Sequence, residues 1–483
     1  MAGVTSEAKS ASERLPDRIS IGVLARTFSA ELLDEVIDAA GVREVRSRLL
    51  PARLMMVFTL ACWLFMRSGY GLVLAKLVDA HAVAGPGWGS WQAPSTGSIT
   101  KAKARLGAAP LKLLFDRVAG PVGTADTPGV FYAGLRVLTV DGFTLDVPDT
   151  PANAEFFGRG ASGSNAANPY PQLRALALAE AGTRALLGAV HGPSTTGEQT
   201  LAWELVGALG PGMVVLADRN FASWKLWRAA AGTGAQLCWR LPATFTLPVR
   251  TVLPDGTYLS QLRPRRTRDG EPITVRVIEY SVLTTDTGVA GEEISEISEV
   301  FEVSEVFALA TTLLDPHRYP AAELAALYHD RWQAETAIAD LKTTMRGGPE
   351  TVLRSQSPTM IAQEFWAMLC VYQAIRDMIS YAAPAGLDPG RVSFTRTLDA
   401  ARDSVTRAAL SPPQGLTRAI AHLAAQLTRP TNLIPHRPGR SAPRARKRGG
   451  SYHRYPRRPT HARPVRAVTH AIVIHQLTPQ PDP

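Results

Sequence analysis

Residues 212–242 read GMVVLADRNFASWKLWRAAAGTGAQLCWRLP. GMVVLADRN is a short apolar run closed by Asp218, the pattern of a buried strand. ASWKLWRAAAG (222–232) carries its apolar residues at helical spacing, and AQLCWRLP (235–242) returns to strand texture. Upstream, LRVLTVDG (135–142), FTLDVP (143–148), PQLRALALAEA (171–181) and TRALLGAVHG (183–192) are strand-like runs bounded by glycine and proline. GEQTLAWELVGALG (197–210) is helical. Three or four strands followed by helix, strand, helix, strand predict a mixed α/β sheet with helices packed against it.

The rhythm breaks over 243–305, where short strand signals (FTLPVRTVL, DGTYL, ITVRVIEYSVL) precede the acidic EEISEISEVFEVSEVF. These predict a β-strand insertion subdomain. FALATTLLD (307–315) resumes the core. Before the sheet, residues 19–120 read as an all-helical N-terminal region whose last helix, SITKAKARLGAAPLKLLFDRVAG, is capped by Ser98. Residues 1–18 are expected to form a flexible lead, 130–410 the mixed-sheet domain and 411–483 a C-terminal region.

The chain has 483 residues, 45% of them hydrophobic, enough for two or three domains with a real core. Its three cysteines, Cys62, Cys238 and Cys370, form no CxxC pair, which excludes a disulfide or zinc scaffold and fits a reducing compartment. LMMVFTLACWLFM (54–66) is too short to span a bilayer and predicts a buried helix. The N-terminal stretch has no apolar signal core, so a cytoplasmic location is expected. The net charge of +10 is local: residues 437–466 hold eleven Lys and Arg and no acid. Such a segment is expected to be disordered in isolation and suits phosphate-backbone attraction.

Two acids sit where strands run out. VLTVDG places Asp141 after four apolar or β-branched residues, and VVLAD places Asp218 likewise, so each is expected at a strand end, where α/β sheets meet ligands. A third acid lies in YHDRWQAETAIADLK (328–342), read as one helix. Tyr328, Arg331, Glu335 and Lys342 stand at offsets 0, 3, 7 and 14, falling at roughly 0°, 300°, 340° and 320° on one face. Three converging carboxylates repel unless cations hold them, and oxygen-only ligands select Mg²⁺ or Mn²⁺. Two such ions, about 3.5–4 Å apart, suit phosphodiester chemistry, while Arg331 and Lys342 suit phosphate oxygens. Asp146, Asp149, Glu155, Glu198 and Asp340 are less well placed as ligands.

The order Asp141, Asp218, then Y-x₂-R-x₃-E-x₆-K resembles the DDE transposases of bacterial insertion sequences, closest to the insertion-sequence-4 family. The contexts VLTVDG, LADRNF and LRSQSP agree, and so does the helical region from about 17 to 108. The likeness covers most of residues 17–410 but not the basic tail. It implies a ribonuclease-H-like core with a β insertion, and two Mg²⁺ ions (Mn²⁺ as a substitute) held by Asp141, Asp218 and Glu335. It also implies that Tyr328, Arg331 and Lys342 contact element-end DNA. The expected reaction cleaves double-stranded DNA at terminal inverted repeats and joins the 3′-hydroxyls to target DNA, in a homodimer on DNA. A metal-dependent nuclease and a non-catalytic DNA-binding protein are the rival readings. Asn220 stands where the family often has glycine or alanine. Trp239 and Phe307 are positioned as base-stacking aromatics, although a core role suits both better.

Overall fold

A computed structural model describes residues 19–82 (except 20 and 47), 94–160, 168–289 (except 243, 246, 267 and 269), 300–301, 306–348 (except 330), 351–406, 413–435, 440–441 and 466–477. The chain forms two compact units, one from residues 1–132, 136–208 and 332–434, the other from 133–135, 209–331 and 435–483.

The first unit begins with helices α1 (Ala30–Ala39), α2 (Ala52–Leu64), α3 (Tyr70–Ala82), α4 (Thr96–Leu106) and α5 (Ala109–Val118). Every residue of α2 from Leu54 to Leu64 is buried. Apolar all round, it is a core helix, and no helix among the described residues is long and apolar enough to cross a membrane. The single helix expected to start near Ser98 is in fact α4 and α5. Ser95 is the N-cap, accepting the Ser98 amide, and Gly107 at φ +72° ends α4.

Strands β1 (Phe131–Tyr132), β2 (Leu135–Asp146), β3 (Gln172–Glu180) and β4 (Leu186–Pro193) follow, with β2–β3–β4 an antiparallel ladder. β2 corrects the expectation of two strands split at Gly142, because it runs on to Asp146. Glu198 and Leu176 pack closely over Gly142. A Cβ at Gly142 would lie 2.8 Å from the Glu198 carboxylate and 2.9 Å from Leu176. Phe143 and Leu145 alternate onto the core face, where burial of each side chain is worth about 2–3 kcal/mol.

Helices α6 (Pro151–Phe157) and α7 (Glu198–Leu205) flank this ladder. The unit closes with α10 (Trp332–Ala339), α11 (Pro358–Ala382), α12 (Phe394–Thr406) and α13 (Pro413–Leu427), numbered after the two helices of the other unit that precede them in the chain. α11 starts with Pro358 at its first turn and is buried along its length. It unites N-terminal helices, ladder and C-terminal helices in one core. Phe365 lies 6.5 Å from Phe143, and Trp63 Nε1 donates to Glu364 O at 2.7 Å.

The second unit holds β5 (Met213–Ala217), α8 (Trp224–Gly232) and β6 (Gln236–Arg240), with β5 and β6 parallel. β7 (Thr251–Val252), β8 (Tyr258–Leu262), β9 (Ile273–Val289), β10 (Val300–Phe301) and β11 (Val306–Thr311) come next. β11 is antiparallel to both β6 and β9, so the insertion strands extend the core sheet through β9. α9 (Ala321–His329) then leads out of the unit.

The chain's late residues add a strand that the sequence reading had missed. β12 (Arg440–Ser441) pairs with β13 (Arg466–Ile474), and β13 lies antiparallel along β9 from Tyr280 to Val289. The expectation of disorder over 437–466 falls, apart from 440–441 and 466, outside the described residues. A helical N-terminal region followed by a mixed sheet with flanking helices is the ribonuclease-H-like class expected.

Candidate active site

In the first unit, Asp141 lies mid-way along β2, opposite Ala177 of β3, and not at the strand's end as expected. It is half-buried, and its Oδ1 accepts the Gly142 amide at 2.8 Å, which orients the carboxylate. Because β2 alternates, Asp141 shares the face of Phe143 and Leu145.

Residues 328–342 are not one helix. α9 ends at His329, and the Arg331 amide reaches back only three residues, to Tyr328 O at 3.1 Å. α10 then starts at Trp332 and gives way to a π-helical turn over Asp340–Met345. At this turn Asp340 forms an ion pair with the buried Arg376 of α11. A three-residue turn and a π turn both abandon 100° per residue, so the angular spacing worked out for one continuous helix does not apply across them. The backbone of Glu335 lies in α10, while its side chain lies outside the described residues.

Lys342 sits in the π turn, half-buried. Burial depresses its pKa, the Arg346 charge adds to this, and Asp146 and Asp141 oppose it. Arg346, one turn on, is only 2% exposed, and its Nε and Nη2 have no partner among the described residues. Burial lowers its pKa as well, against the charges of Asp146 and Glu364. The first unit thus sets Lys342 in the fields of Asp146 and Asp141, with the Arg346 cation one turn on in the field of Asp146.

In the second unit Asp218 follows β5 directly, as expected, and caps the short turn Arg219–Phe221 by accepting the Arg219 amide at 2.7 Å. Asn220 lies in that turn and needs no left-handed backbone. Tyr328 is 5% exposed. Burial raises its pKa, with the Asp218 charge adding to it, while Arg331 and Arg240 act the other way. Arg331 donates to the Tyr328 hydroxyl, its guanidinium 5.8 Å from the ring centre. Phenol, guanidinium and carboxylate therefore share one electrostatic environment in this unit.

The remaining candidates find other work. Asp340 is taken by Arg376, Asp149 by Arg159, and Asp146 accepts from Gln172 Nε2 at 2.8 Å. Glu198 presses on Gly142 and Glu155 is exposed. Trp239 is a core residue, edge-on to Trp227 at 4.9 Å. Phe307 is half-buried, stacked on Tyr280 at 5.2 Å with the Arg240 guanidinium 4.3 Å over its ring. Arg240 and Arg346 escaped sequence reading. The spacing of four after Lys342 was a usable signal for Arg346, whereas Arg240 reaches Tyr328 only through the fold.

Asp141 and Asp218 are hard oxygen donors, the chemistry that suits Mg²⁺ or Mn²⁺. Among the described residues no three His, Cys, Asp or Glu side chains group closely enough to hold a metal, and the Glu335 carboxylate is not in that set.

Two family profiles match the chain. The insertion element 4 transposase N-terminal profile matches residues 18–116, and the transposase DDE domain profile matches residues 132–373. The transposase InsG for insertion sequence element IS4 of Escherichia coli (strain K12) is 28% identical over 371 residues, 76% of this chain and 79% of that protein. The putative transposase InsZ of the same organism is 31% identical over 146 residues, 30% of this chain and 49% of that protein. With the DDE profile alone spanning half of its length, the chain belongs to the DDE transposases of the insertion-sequence-4 family, which cleave DNA and transfer strands with the help of a metal.

Proposed function

We propose that this transposase binds the terminal inverted repeats of its own insertion sequence. It hydrolyses the phosphodiester at each end and directs the freed 3′-hydroxyls at target DNA, in cut-and-paste fashion. Asp141, Asp218 and Glu335 are the ligands for two Mg²⁺ ions. Bound there, the ions supply the positive charge that activates water or a 3′-hydroxyl and stabilises the leaving oxygen. Lys342, Arg331 and Tyr328 hold phosphate oxygens of the element end. The Tyr328 hydroxyl, its pKa raised by burial, stays protonated and donates at any working pH.

Residues 19–120 take part in end recognition, 130–410 carry the chemistry with the insertion at 243–305, and the basic region within 411–483 adds backbone attraction. Two ends cut together call for a homodimer on DNA, in the bacterial cytoplasm. The observation that carries this reading is Lys342, a half-buried cation within the field of Asp141. Acid for metal beside base for phosphate fits a nucleic-acid backbone.

The test is strand cleavage of a labelled duplex carrying the repeat that flanks the reading frame, with Mg²⁺ and with EDTA. Asp141→Ala, Asp218→Ala and Glu335→Ala run beside wild type. Metal-dependent nicking lost in all three while binding persists supports the assignment. Cleavage without strand joining would favour a nuclease, and binding without cleavage under any divalent ion a non-catalytic protein.

A further inference from the structure

The turn between α2 and α3 opens onto a cleft lined by residues 66–72, by Thr96 at the start of α4 and by Arg354. Arg354 belongs to LRSQSP, a stretch that the active-site account leaves without a role. No carboxylate lines the cleft, and both of its arginines are anchored by main-chain oxygens. Arg67 Nη2 donates to Gly347 O at 2.6 Å, and Arg354 Nη1 donates to Ser68 O at 2.9 Å. Among the described residues neither guanidinium has an ion-pair partner.

A third cation stands behind Tyr70. Lys103 is 2% exposed, and its Nζ donates to the Tyr70 hydroxyl at 3.2 Å, which leaves the phenol's own proton to donate elsewhere. Glu364, whose charge reaches Lys103, turns its oxygens to the amides of Arg354 and Ser355 at 3.1 Å. Above Gly69 and Gly71 there is open space: a Cβ built on either meets nothing within 4 Å. Like charges converge in a concavity when an anion belongs there.

We propose that this cleft is a phosphate-backbone subsite for duplex DNA. Arg67 and Arg354 grip phosphate oxygens with the parts of their forks not spent on carbonyls, and Tyr70 donates its hydroxyl proton. The subsite joins the catalytic region through Gly347, whose carbonyl Arg67 holds and whose neighbour Arg346 is one turn from Lys342. It rests on the reading of the chain as an enzyme that binds the ends of its element.

The experiment measures binding in EDTA, so that cleavage plays no part. The probes are the flanking-repeat duplex and a scrambled duplex of equal length. Arg67→Gln and Arg354→Gln are each expected to weaken binding about tenfold and to reduce the salt slope by about one, equally on both duplexes. Arg354 also bonds the fold, so Thr96→Glu is the decisive variant. Thr96 is exposed at the first position of α4, where an acid favours the helix. Thr96→Glu is expected to keep or raise Tm and still weaken both duplexes, and Thr96→Lys to tighten them. Unchanged affinity and salt slope in Thr96→Glu and Arg67→Gln would overturn the subsite while leaving the enzyme's function intact. Loss on the repeat alone would mean base readout, and would overturn the phosphate assignment. Failure of wild type to prefer the repeat would instead sink the reading on which the subsite rests.

Discussion

The two halves of the Y-x₂-R-x₃-E-x₆-K signature are built differently. In the second unit Tyr328 is buried, its hydroxyl accepts from Arg331, and the pair shares the field of Asp218. In the first unit Lys342 lies in the fields of Asp146 and Asp141 outside any described ion pair, and Arg346 has two buried nitrogens without a hydrogen-bond partner among the described residues. One half is closed on itself and the other is open. A hydroxyl already hydrogen-bonded to its neighbour resists movement and is positioned as a donor. An open cationic pair costs stability in the free protein and recovers it when an anion arrives. The signature thus combines a fixed element with a receptive one, and each half carries a strand-borne carboxylate.

The comparison first requires that both carboxylates matter equally. Asp141→Ala and Asp218→Ala are each expected to lower end cleavage by about a thousandfold or more, with binding nearly unchanged. A much milder loss in either would mean that the halves are not equivalent in chemistry.

Replacing the cations separates the halves more sharply. Arg331→Met and Lys342→Met should each cost about 10- to 100-fold in end cleavage, the worth of one charge-assisted contact. Stability should move in opposite directions. Arg331→Met strips the buried Tyr328 hydroxyl of a partner and is expected to destabilise by about 1–3 kcal/mol. Lys342→Met and Arg346→Met relieve cationic crowding and should leave Tm unchanged or raise it. Parallel losses of Tm would break the distinction between closed and open halves.

A smaller effect comes from His191, which belongs to neither half and serves as a control. Burial lowers its pKa to about 4 from 6.5, and Lys112 contributes. Between those values the unfolded chain binds a proton that the folded one refuses, so stability falls as pH drops from 6.5 towards 4. His191→Phe should flatten that acid limb by about 1–2 kcal/mol in denaturant titrations, without touching cleavage. An unchanged acid limb would show that His191 protonates without cost.

The smallest expected difference is in the alkaline limb of DNA binding. Lys342, with its pKa lowered by burial, loses charge earlier than an ordinary lysine, whereas Tyr328, with its pKa raised, keeps its proton. Lys342→Arg should carry the alkaline limb to higher pH, and Tyr328→Phe should leave it in place. A shift in Tyr328→Phe would place the titrating group in the wrong half.

Much of this was legible in the sequence, for local reasons. β5, α8 and β6 appear as runs whose periods change, and Asp218 stands at the strand end that VVLAD announces. Gly142 misled because glycine usually ends a strand, whereas here it sits within one, closely packed by Glu198 and Leu176. The break in 328–342 was invisible for a similar reason: Asp340 finds its partner in Arg376, on α11. RAVTHAIVI at 466–474 has strand composition, but it follows a run of arginines that drew the reading towards disorder. At the site, the residue types were readable and their neutralisation was not, because it depends on which carbonyls and carboxylates the fold delivers.

The pairing of β13 with β9 sets an order of events in synthesis. Roughly 180 residues separate Val289 from Arg466, which the ribosome needs roughly 10–35 s to add at ~5–20 residues per second. For that interval the edge of β9 from Tyr280 onwards waits without this partner, an invitation to pair with another nascent chain. That edge reads YSVLTTDTGV, and its polar part, TTDTG, is poorly suited to such adhesion.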